Sequence, residues 1–318
     1  MRAAPLVALT GGTGFLGRHL ATALAARGFR LRILTRREAS HPLWRDLTAD
    51  LVTGDLDDAP ALGRLVQGCD IVIHAAGLIK ARSRREFLSV NRDGAVRLAG
   101  ATQRHAPGAH LIGISSLAAR VPRLSAYAES KRAGERGLAA SFSGRLTIIR
   151  PPVIYGPWDR ATFGIFRAAA KPIVPVPGSP EARIAMIHVE DAAAAIAALA
   201  AWNEAPGGSI HALADLRPAG YAPRHILGLA AAALGNNPRF VRLPGSAVRF
   251  AGIAASLLAR VSGRPGLFSA GKAREMLYPC WGVSAEELLP AMHAAPGIDL
   301  PRGFASTVAW YRQTGWLV

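Results

Sequence analysis

Hydrophobic and polar positions in the first 150 residues follow two alternating patterns. Short apolar runs typical of buried strands are followed by segments in which apolar residues recur every three or four positions, as in helices. The predicted strands are Leu6–Thr10, Arg30–Thr35, Asp50–Thr53, Asp70–His74, Ala109–Ser115 and Leu146–Arg150. The predicted helices are Arg18–Arg27, Ala59–Gln67, Arg84–Arg104 and Ser125–Ala140. Strands that alternate with helices in this way form βαβ units, so the pattern predicts an α/β fold with a doubly wound parallel sheet.

The pattern changes after Arg150. Prolines punctuate residues 151–180, which predicts loops and short elements. A strand predicted over Ile184–Val189 leads into a helix over Asp191–Trp202, and looser helical segments follow. The predicted division is a larger lobe over 1–165, which 184–203 rejoins, and a smaller, mostly helical lobe over 166–318.

Composition excludes several classes of protein without naming a partner. Lys and Arg number 38 against 21 Asp and Glu, for a net charge of +17. The basic residues form no run or tail, so an arginine-rich composition explains the charge and we expect no specific nucleic-acid partner. Cys69 and Cys280 are the only cysteines, which excludes a disulfide scaffold and a cysteine-based zinc site and fits a reducing compartment. No apolar tract reaches the roughly 20 residues of a membrane span, and no signal-peptide pattern is present, so we expect a cytoplasmic protein.

A glycine-rich segment, Thr10-Gly-Gly-Thr-Gly-Phe-Leu-Gly17, joins the first predicted strand to the first predicted helix. Glycine lets the backbone turn sharply and approach a pyrophosphate, and the free N–H groups of the following helix favour an anion. At the first turn of a repeated βαβ pattern, this motif predicts dinucleotide binding in a Rossmann-type lobe. A Walker A loop is excluded because Arg18-His19 stands where Lys and Ser or Thr are needed. The predicted cofactor-binding residues here are Gly11, Gly14, Phe15, Leu16 and Gly17.

The end of the second predicted strand bears on the choice of dinucleotide. An acidic residue there would bind the adenine ribose 2′-hydroxyl, whereas an arginine suits a 2′-phosphate. The strand runs into Arg36 and Arg37, so NADP(H) is favoured through Arg36, and NAD(H) stays open. Asp55-Leu56, after the third strand, is a candidate for the adenine amine, with a plain turn aspartate as the alternative.

Tyr127 and Lys131 are four residues apart in a predicted helix and therefore share one face. A neighbouring ammonium stabilises a phenolate and lowers the pKa of the phenol, which suits a proton donor to a carbonyl oxygen. Ser115 and Ser116 end the preceding strand, at the carboxyl edge of the sheet where ligands of open α/β folds bind. These residues predict proton-transfer chemistry beside a dinucleotide.

Together these motifs resemble the extended branch of the short-chain dehydrogenase/reductase superfamily, with its NAD(P)-dependent epimerases, dehydratases and 3β-hydroxysteroid or dihydroflavonol reductase-like enzymes. The resemblance covers nearly the whole chain. Its segments, in the family's order, are Thr10–Gly17, Gly54-Asp-Leu56, His74-Ala-Ala-Gly77, Val90-Asn91, Ile114-Ser-Ser116, Tyr127–Lys131, Arg150–Pro157, Ile187–Asp191 and Val308–Arg312.

The resemblance implies a role for each matching residue. Tyr127 would be the general acid/base, and Lys131 would bind the nicotinamide ribose. Ser116 would hydrogen-bond the reacting oxygen, with Ser115 as the competing assignment, and Asn91 would shape the active-site helix. The resemblance also implies cofactor contacts from Ala75, Ala76, Gly77 and Val153.

The implied activity is hydride transfer between a nicotinamide and the carbonyl or secondary alcohol of a small or medium substrate. Two departures from nucleotide-sugar relatives favour a reductase: Leu117–Arg120 replaces Val-Tyr-Gly, and Ile184 stands where those relatives place an arginine. The alternatives are a nucleotide-sugar epimerase or dehydratase with tightly held NAD, and a non-catalytic nucleotide-binding accessory subunit of a respiratory complex.

Two expectations concern partners besides the small-molecule substrate. Val248–Val261, apolar with flanking arginines, is a candidate for peripheral membrane contact or an apolar gate, although its small residues and low charge favour burial in the smaller lobe. Helix pairing between nucleotide-binding lobes in relatives makes a homodimer one option, and the oligomeric state stays open.

Overall fold

The computed structural model describes residues 4–37, 40–202, 207–262, 266, 268–290 and 296–317. The strands are β1 (Leu6–Thr10), β2 (Arg30–Thr35), β3 (Asp50–Thr53), β4 (Ile71–His74), β5 (His110–Ile114), β6 (Leu146–Arg150), β7 (Val153–Tyr155), β8 (Ile173–Pro177), β9 (Arg183–Ile184), β10 (Met186–His188), β11 (Ser209–Ala212), β12 (Arg239–Leu243) and β13 (Cys280–Trp281). The α-helices are α1 (Phe15–Ala26), α2 (Ala59–Val66), α3 (Arg84–Leu88), α4 (Gly94–His105), α5 (Ala126–Ser141), α6 (Phe163–Ala169), α7 (Val189–Ala201), α8 (Pro223–Leu234), α9 (Gly245–Ser262), α10 (Ala270–Leu277) and α11 (Leu300–Gln313). A π-helical segment, Ser89–Asp93, joins α3 to α4.

Seven strands form one sheet in the order β11-β6-β5-β4-β1-β2-β3. Strand β1 pairs in parallel with β2 on one side and with β4 on the other, so the chain changes direction across the sheet beside β1. Strands β1, β4 and β5 are buried along their whole length, as expected where helices cover both faces. The predicted Rossmann-type, doubly wound α/β fold is confirmed.

The helices of this sheet begin in two different ways. Asp58 caps α2, accepting a hydrogen bond from the Ala61 N–H at 2.9 Å, and Ser125 caps α5 through the Ala128 N–H at 2.9 Å. Helix α1 begins after Gly14 without any side-chain cap. Its first N–H groups are therefore free of side-chain acceptors from the cap position, which leaves them to a ligand.

The chain divides into two compact units. The first comprises Met1–Arg150, Ala193–His211 and Leu289–Ala294, and the second comprises Pro151–Ala192, Ala212–Leu288 and Ala295–Val318. Aliphatic side chains of the sheet and its helices, such as Leu65, Leu98 and Leu111, form the first unit's core. Aromatic rings dominate the second core, where Phe304 packs edge-on against Tyr155 and Phe166 with ring centroids 5.0 and 4.9 Å apart.

The division differs from the lobes expected from the sequence. The first unit ends at Arg150 rather than at 165, because β7 does not continue the large sheet and pairs in parallel with β10 instead. The returning segment is Ala193–His211 rather than 184–203. The short elements of the proline-rich stretch are β7, α6 and β8, and β8 itself contains Pro175 and Pro177. Among the described residues, none of the helices is both long enough and apolar enough to traverse a bilayer.

Candidate active site

The glycine-rich turn between β1 and α1 leaves no room for side chains. Gly11 has a positive φ of 74°, and a Cβ there would lie 2.5 Å from the Ala76 backbone nitrogen. A Cβ on Gly17 would lie 2.0 Å from the Gly11 oxygen. The structure therefore brings two predicted cofactor-binding segments, Gly11–Gly17 and Ala75–Gly77, to the same edge of the sheet.

The shape of this edge fits a dinucleotide. Gly14 donates to the Gly11 oxygen at 2.9 Å, which closes the turn in front of the uncapped start of α1. Phe15 and Leu16 open α1 and are half-buried. Backbone that approaches a ligand without Cβ atoms, next to free helix N–H groups, is the arrangement that binds a pyrophosphate.

The predicted adenosine-binding residues lie beyond the neighbouring strands. Arg36 follows β2 and is exposed. Asp55 follows β3, and its Oδ1 accepts a hydrogen bond from the Asp57 N–H at 2.8 Å, as in a turn. Leu56 packs partly buried against the first core, close to Gly94. The contacts of these residues with an adenosine stay predictions.

A histidine–threonine pair, which the sequence did not single out for chemistry, lies buried at the carboxyl ends of β1 and β4. The Thr10 Oγ1 and His74 Nδ1 are 2.8 Å apart, within hydrogen-bond distance. Burial, followed by the charge of Lys131, lowers the pKa of His74 to about 3. A neutral imidazole therefore supports the two strand ends that lead into the predicted cofactor-binding segments.

Helix α5 holds the predicted catalytic pair. Tyr127 and Lys131 lie one turn apart, and the Tyr127 ring is tilted against Phe87 with centroids 6.0 Å apart. The Lys131 Nζ donates to the Ile114 carbonyl oxygen at 2.7 Å, which ties α5 to the end of β5. Burial lowers the pKa of Lys131 to about 8, although the charge of Glu135 opposes the shift. The half-buried lysine is held beside the strand that leads to Ser115 and Ser116.

The two candidate serines have different partners. Ser115 Oγ donates to Glu135 Oε1 at 2.6 Å. Ser116 Oγ accepts from the Ala118 N–H at 3.2 Å and begins a short 3₁₀ turn. The Ser115 hydroxyl is therefore engaged with a carboxylate, whereas the Ser116 oxygen is an acceptor from its own turn.

Glu135 is another polar residue of this site that sequence reasoning missed. Its carboxylate is buried and receives both Nη2 and Nε of Arg150, at 2.6 and 2.7 Å, and Nη1 of Arg132 at 3.1 Å. The signal was available: Glu135 follows Lys131 by four residues, so Tyr127, Lys131 and Glu135 share one face of α5. A bidentate arginine pair fixes both carboxylate oxygens, and with them Ser115.

Asn91 lies buried inside the π-helical segment between α3 and α4. Its Oδ1 accepts from the Leu78 N–H at 2.7 Å, and its Nδ2 donates to the Leu78 oxygen at 3.0 Å and to Ser130 Oγ at 2.9 Å. Ser130 Oγ in turn donates to the Tyr127 carbonyl oxygen at 2.8 Å. Asn91 thus joins the loop after β4 to the helix of Tyr127, and π-helical turns are frequent at functional sites.

Val153, the remaining predicted cofactor contact, belongs to the second unit. It begins β7 and pairs with Met186. Its contact with a nicotinamide stays a prediction. Within the first unit, by contrast, the structure gathers the glycine turn, the loop after β4, Asn91, Ser116 and the Tyr127/Lys131 pair at one edge of the sheet.

The chain is similar to proteins of known family and to proteins of known structure. A family model described as "NAD dependent epimerase/dehydratase family" matches residues 7–212. The chain is 47% identical over 313 residues to "Ceramide reductase" of Caulobacter vibrioides, covering 98% of this chain and 96% of that protein. It is 29% identical over 183 residues to "3 beta-hydroxysteroid dehydrogenase/Delta 5-->4-isomerase" of Mycobacterium tuberculosis, covering 49% of each.

Solved structures share the fold over the whole chain. The crystal structure of gox2253 has a TM-score of 0.78 and 22% identity, covering 100% of both chains. MoeE5 in complex with UDP-glucose and NAD has a TM-score of 0.73 and 19% identity, covering 98% of this chain and 99% of that one. At such identities the likeness concerns the fold alone.

Proposed function

The chain belongs to the NAD dependent epimerase/dehydratase family, and from that premise we propose that it is an NADP(H)-dependent reductase of a ketone on a ceramide-type lipid. Enzymes of this extended short-chain dehydrogenase/reductase type use NAD(P), and both oxidoreductase and epimerase activities fit the family. The proposal selects the oxidoreductase activity, the phosphorylated cofactor and a long-chain substrate.

One observation carries the proposal: the 47% identity to a ceramide reductase extends over 98% of this chain. It therefore includes the half of the sequence that we propose binds the substrate as well as the half that we propose binds the dinucleotide. A ceramide has a secondary hydroxyl on its long-chain base, and the ketone form of that carbon is the group that a hydride-transfer enzyme would reduce.

The residues of the first unit support this chemistry. When bound, the nicotinamide supplies a hydride to the carbonyl carbon. Tyr127 would then donate its phenolic proton to the carbonyl oxygen, and Ser116 would hydrogen-bond that oxygen. The Lys131 ammonium, one turn away, would favour the phenolate that the proton transfer leaves behind. The Glu135–Arg150 pair would hold Ser115, and through it the end of β5, in place.

The assignment of Ser116 rather than Ser115 rests on their partners. The Ser115 hydroxyl donates its hydrogen bond to Glu135 Oε1 at 2.6 Å, so it has no proton left to donate to a substrate oxygen. Ser116 accepts its bond from the Ala118 N–H, so its own proton can serve the reacting oxygen.

A nucleotide-sugar epimerase is the rival within the family. The nearest arginine to the position that holds a sugar diphosphate is Arg183, whose Nη1 donates to the Pro180 and Ala182 carbonyl oxygens, both at 3.0 Å. Ile184 takes the position itself and is half-buried in β9. This arrangement supports a substrate without a diphosphate.

The substrate proposal is tested by following NADPH absorbance with purified protein and a detergent-dispersed ceramide whose secondary alcohol is oxidised to the ketone. We expect turnover with the ketone and none with UDP-glucose or UDP-glucuronic acid. Interconversion of UDP-sugars without net NADPH oxidation would replace this proposal by the epimerase.

The cofactor proposal is tested by fluorescence titration with NADPH and NADH. Arg36→Ala is expected to weaken NADPH binding about tenfold, the worth of one charge-assisted pair, and to leave NADH unchanged. Arg104→Ala removes another exposed arginine, at the end of α4, and is the matched control. Equal NADPH affinity in both variants would show that Arg36 does not select the 2′-phosphate.

A further inference from the structure

Helix α9 turns its large apolar side chains toward solvent. Phe250, Leu258 and Val261 are 74, 70 and 89% exposed, and Ile253 and Leu257 are more than half exposed. Their spacing of three and four residues places them on one side of the helix. This group of five side chains is called the α9 apolar face. Burial of Val248–Val261 in the smaller lobe, the favoured expectation from the sequence, is therefore wrong for these five residues.

The opposite side of α9 explains the orientation. There the small residues face α10: a Cβ on Gly252 would lie 2.6 Å from the Ala273 Cβ, and Ser256 Oγ accepts from the Ala270 N–H at 2.8 Å. Close packing through glycine and serine leaves no space between the helices for large side chains. The hydrophobic side chains must therefore point outward, which is the reverse of an ordinary surface helix.

The stretch of sequence that contains α9 is strongly basic. From Arg239 to Leu277 the sequence contains seven basic residues, namely Arg239, Arg242, Arg249, Arg260, Arg264, Lys272 and Arg274. The single acidic residue is Glu275, which is buried and paired with Lys272 at 3.0 Å. Arg249 is exposed beside the apolar face.

We propose that the α9 apolar face docks on a membrane surface that contains anionic lipids. A helix with an apolar side and basic neighbours lies at the lipid headgroup boundary, with its hydrophobic side chains among the acyl chains. A net charge of +17 favours an anionic surface and opposes a second copy of the chain, which carries the same charge. As a route to a bilayer-borne substrate this inference rests on the proposed function, whereas the docking itself does not.

The test uses the whole protein and vesicles of phosphatidylcholine, with and without phosphatidylglycerol, in a sedimentation assay. Wild-type protein is expected to sediment with the phosphatidylglycerol vesicles. The triple variant Phe250→Gln/Leu257→Gln/Leu258→Gln is expected to lose about tenfold or more in vesicle affinity, because three side chains no longer enter the acyl region. Arg249→Glu is expected to lose about fivefold or more, and only on anionic vesicles.

A matched control replaces three exposed apolar residues elsewhere: Leu51→Gln/Ile173→Gln/Leu216→Gln. Because none of these belongs to α9, this variant is expected to sediment like the wild type. Equal sedimentation of both triple variants, or wild-type protein that stays in the supernatant with anionic vesicles, would overturn the docking proposal.

Two further measurements separate the proposals. A wild-type dimer in sedimentation equilibrium that the α9 triple variant converts to a monomer would make a second copy the occupant and overturn membrane docking. Turnover of detergent-dispersed ketone should be the same in wild type and in the α9 triple variant. Vesicle binding without such turnover would count against the proposed function alone, and turnover without vesicle binding would count against docking alone.

Discussion

The carboxyl edge of the sheet in the first unit and helix α9 in the second unit depart in opposite ways from the usual division into an apolar interior and a polar surface. At the sheet edge, polar side chains are buried and joined by short bonds: Glu135 is 2.6 Å from both Ser115 and Arg150. On α9, large apolar side chains are exposed, and Val261 is 89% accessible. A buried polar group is costly unless it is hydrogen-bonded, and these groups are. A large exposed apolar patch usually marks a surface that contacts a partner or a membrane.

The difference corresponds to the two tasks that we propose for this protein. Proton and hydride transfer require atoms held within tenths of an ångström, which buried hydrogen bonds and glycine contacts provide at the sheet edge. Contact with a lipid surface requires only apolar area and charge, so α9 can meet it without a fixed geometry. Substitutions should therefore divide into those that change the chemistry and those that change the surface.

The largest expected effect belongs to Tyr127→Phe. Removing the phenolic proton should lower kcat by about 10³-fold, within the usual range for a general acid, and leave NADPH affinity and vesicle sedimentation unchanged. Tyr278→Phe, a half-buried tyrosine of the second unit, is the control. Loss of vesicle binding in Tyr127→Phe, or a lower kcat in the α9 triple variant, would contradict the separation of chemistry at the sheet edge from lipid contact at α9.

The second-largest effect is expected for Glu135→Gln. Leaving Arg150 without a carboxylate is expected to reduce the free energy of unfolding by about 3 kcal/mol, measured by urea denaturation. Since the charge of Glu135 raises the pKa of Lys131, its loss should lower that pKa below about 8 and shift the alkaline limb of kcat/KM to lower pH.

Glu129→Gln is the matched control for that variant. It removes a carboxylate from the same helix, but one that pairs with Arg84 at the exposed surface, so we expect a change below about 0.5 kcal/mol. Equal losses of stability in the two variants would mean that burial of the Glu135 pair contributes nothing.

Gly17→Ala tests the tight turn itself. The new Cβ would collide with the Gly11 backbone, so we expect an overpacking cost of about 1–3 kcal/mol and weaker NADPH binding by fluorescence titration. Gly228→Ala lies inside α8, where a Cβ meets nothing within 4 Å, and should stabilise the helix by about 0.5–1 kcal/mol. A neutral Gly17→Ala would show that the turn has space for a side chain.

The smallest expected effect on kcat belongs to His110, at the amino end of β5, which instead gives stability a pH dependence. Burial, followed by the charge of Arg145, lowers the pKa of His110 to about 3, and its Nε2 lies 2.9 Å from Thr147 Oγ1. The unfolded chain takes up this proton near pH 6.5 and the folded chain near pH 3. Stability from His110 is therefore complete above pH 6.5 and is lost as the pH falls toward 3.

His110→Gln should remove about 2 kcal/mol of the stability difference between pH 7 and pH 5, as measured by urea denaturation at both values. Exposed His105→Gln should leave that difference unchanged. Because His110 lies at the opposite end of β5 from Ser115, kcat should not change; a lower kcat would contradict the confinement of chemistry to the carboxyl edge.

Much of the first unit followed from local pattern alone. Strands β1, β2, β3 and β6 begin and end at the predicted residues, since short apolar or alternating runs bounded by turn residues mark strands. The glycine turn was recognisable because Gly11, Gly14 and Gly17 recur every three residues directly after the first strand. In the structure, a Cβ at Gly11 or Gly17 would collide with the backbone. The second unit was less predictable, because the proline-rich sequence has no regular period from which the type and bounds of β7, α6 and β8 could be assigned.

The sequence by itself determined the alternation of strands and helices, the glycine turn, and the placement of Tyr127 and Lys131 on one helical face, because each depends on neighbours within about one turn or one strand. Only the tertiary structure decided that Glu135 joins Ser115 to Arg150, that Asn91 joins Leu78 to Ser130, and that α9 shows its large side chains to solvent. Each of these depends on which distant surface a helix meets, and helical periodicity is the same whichever side is turned inward.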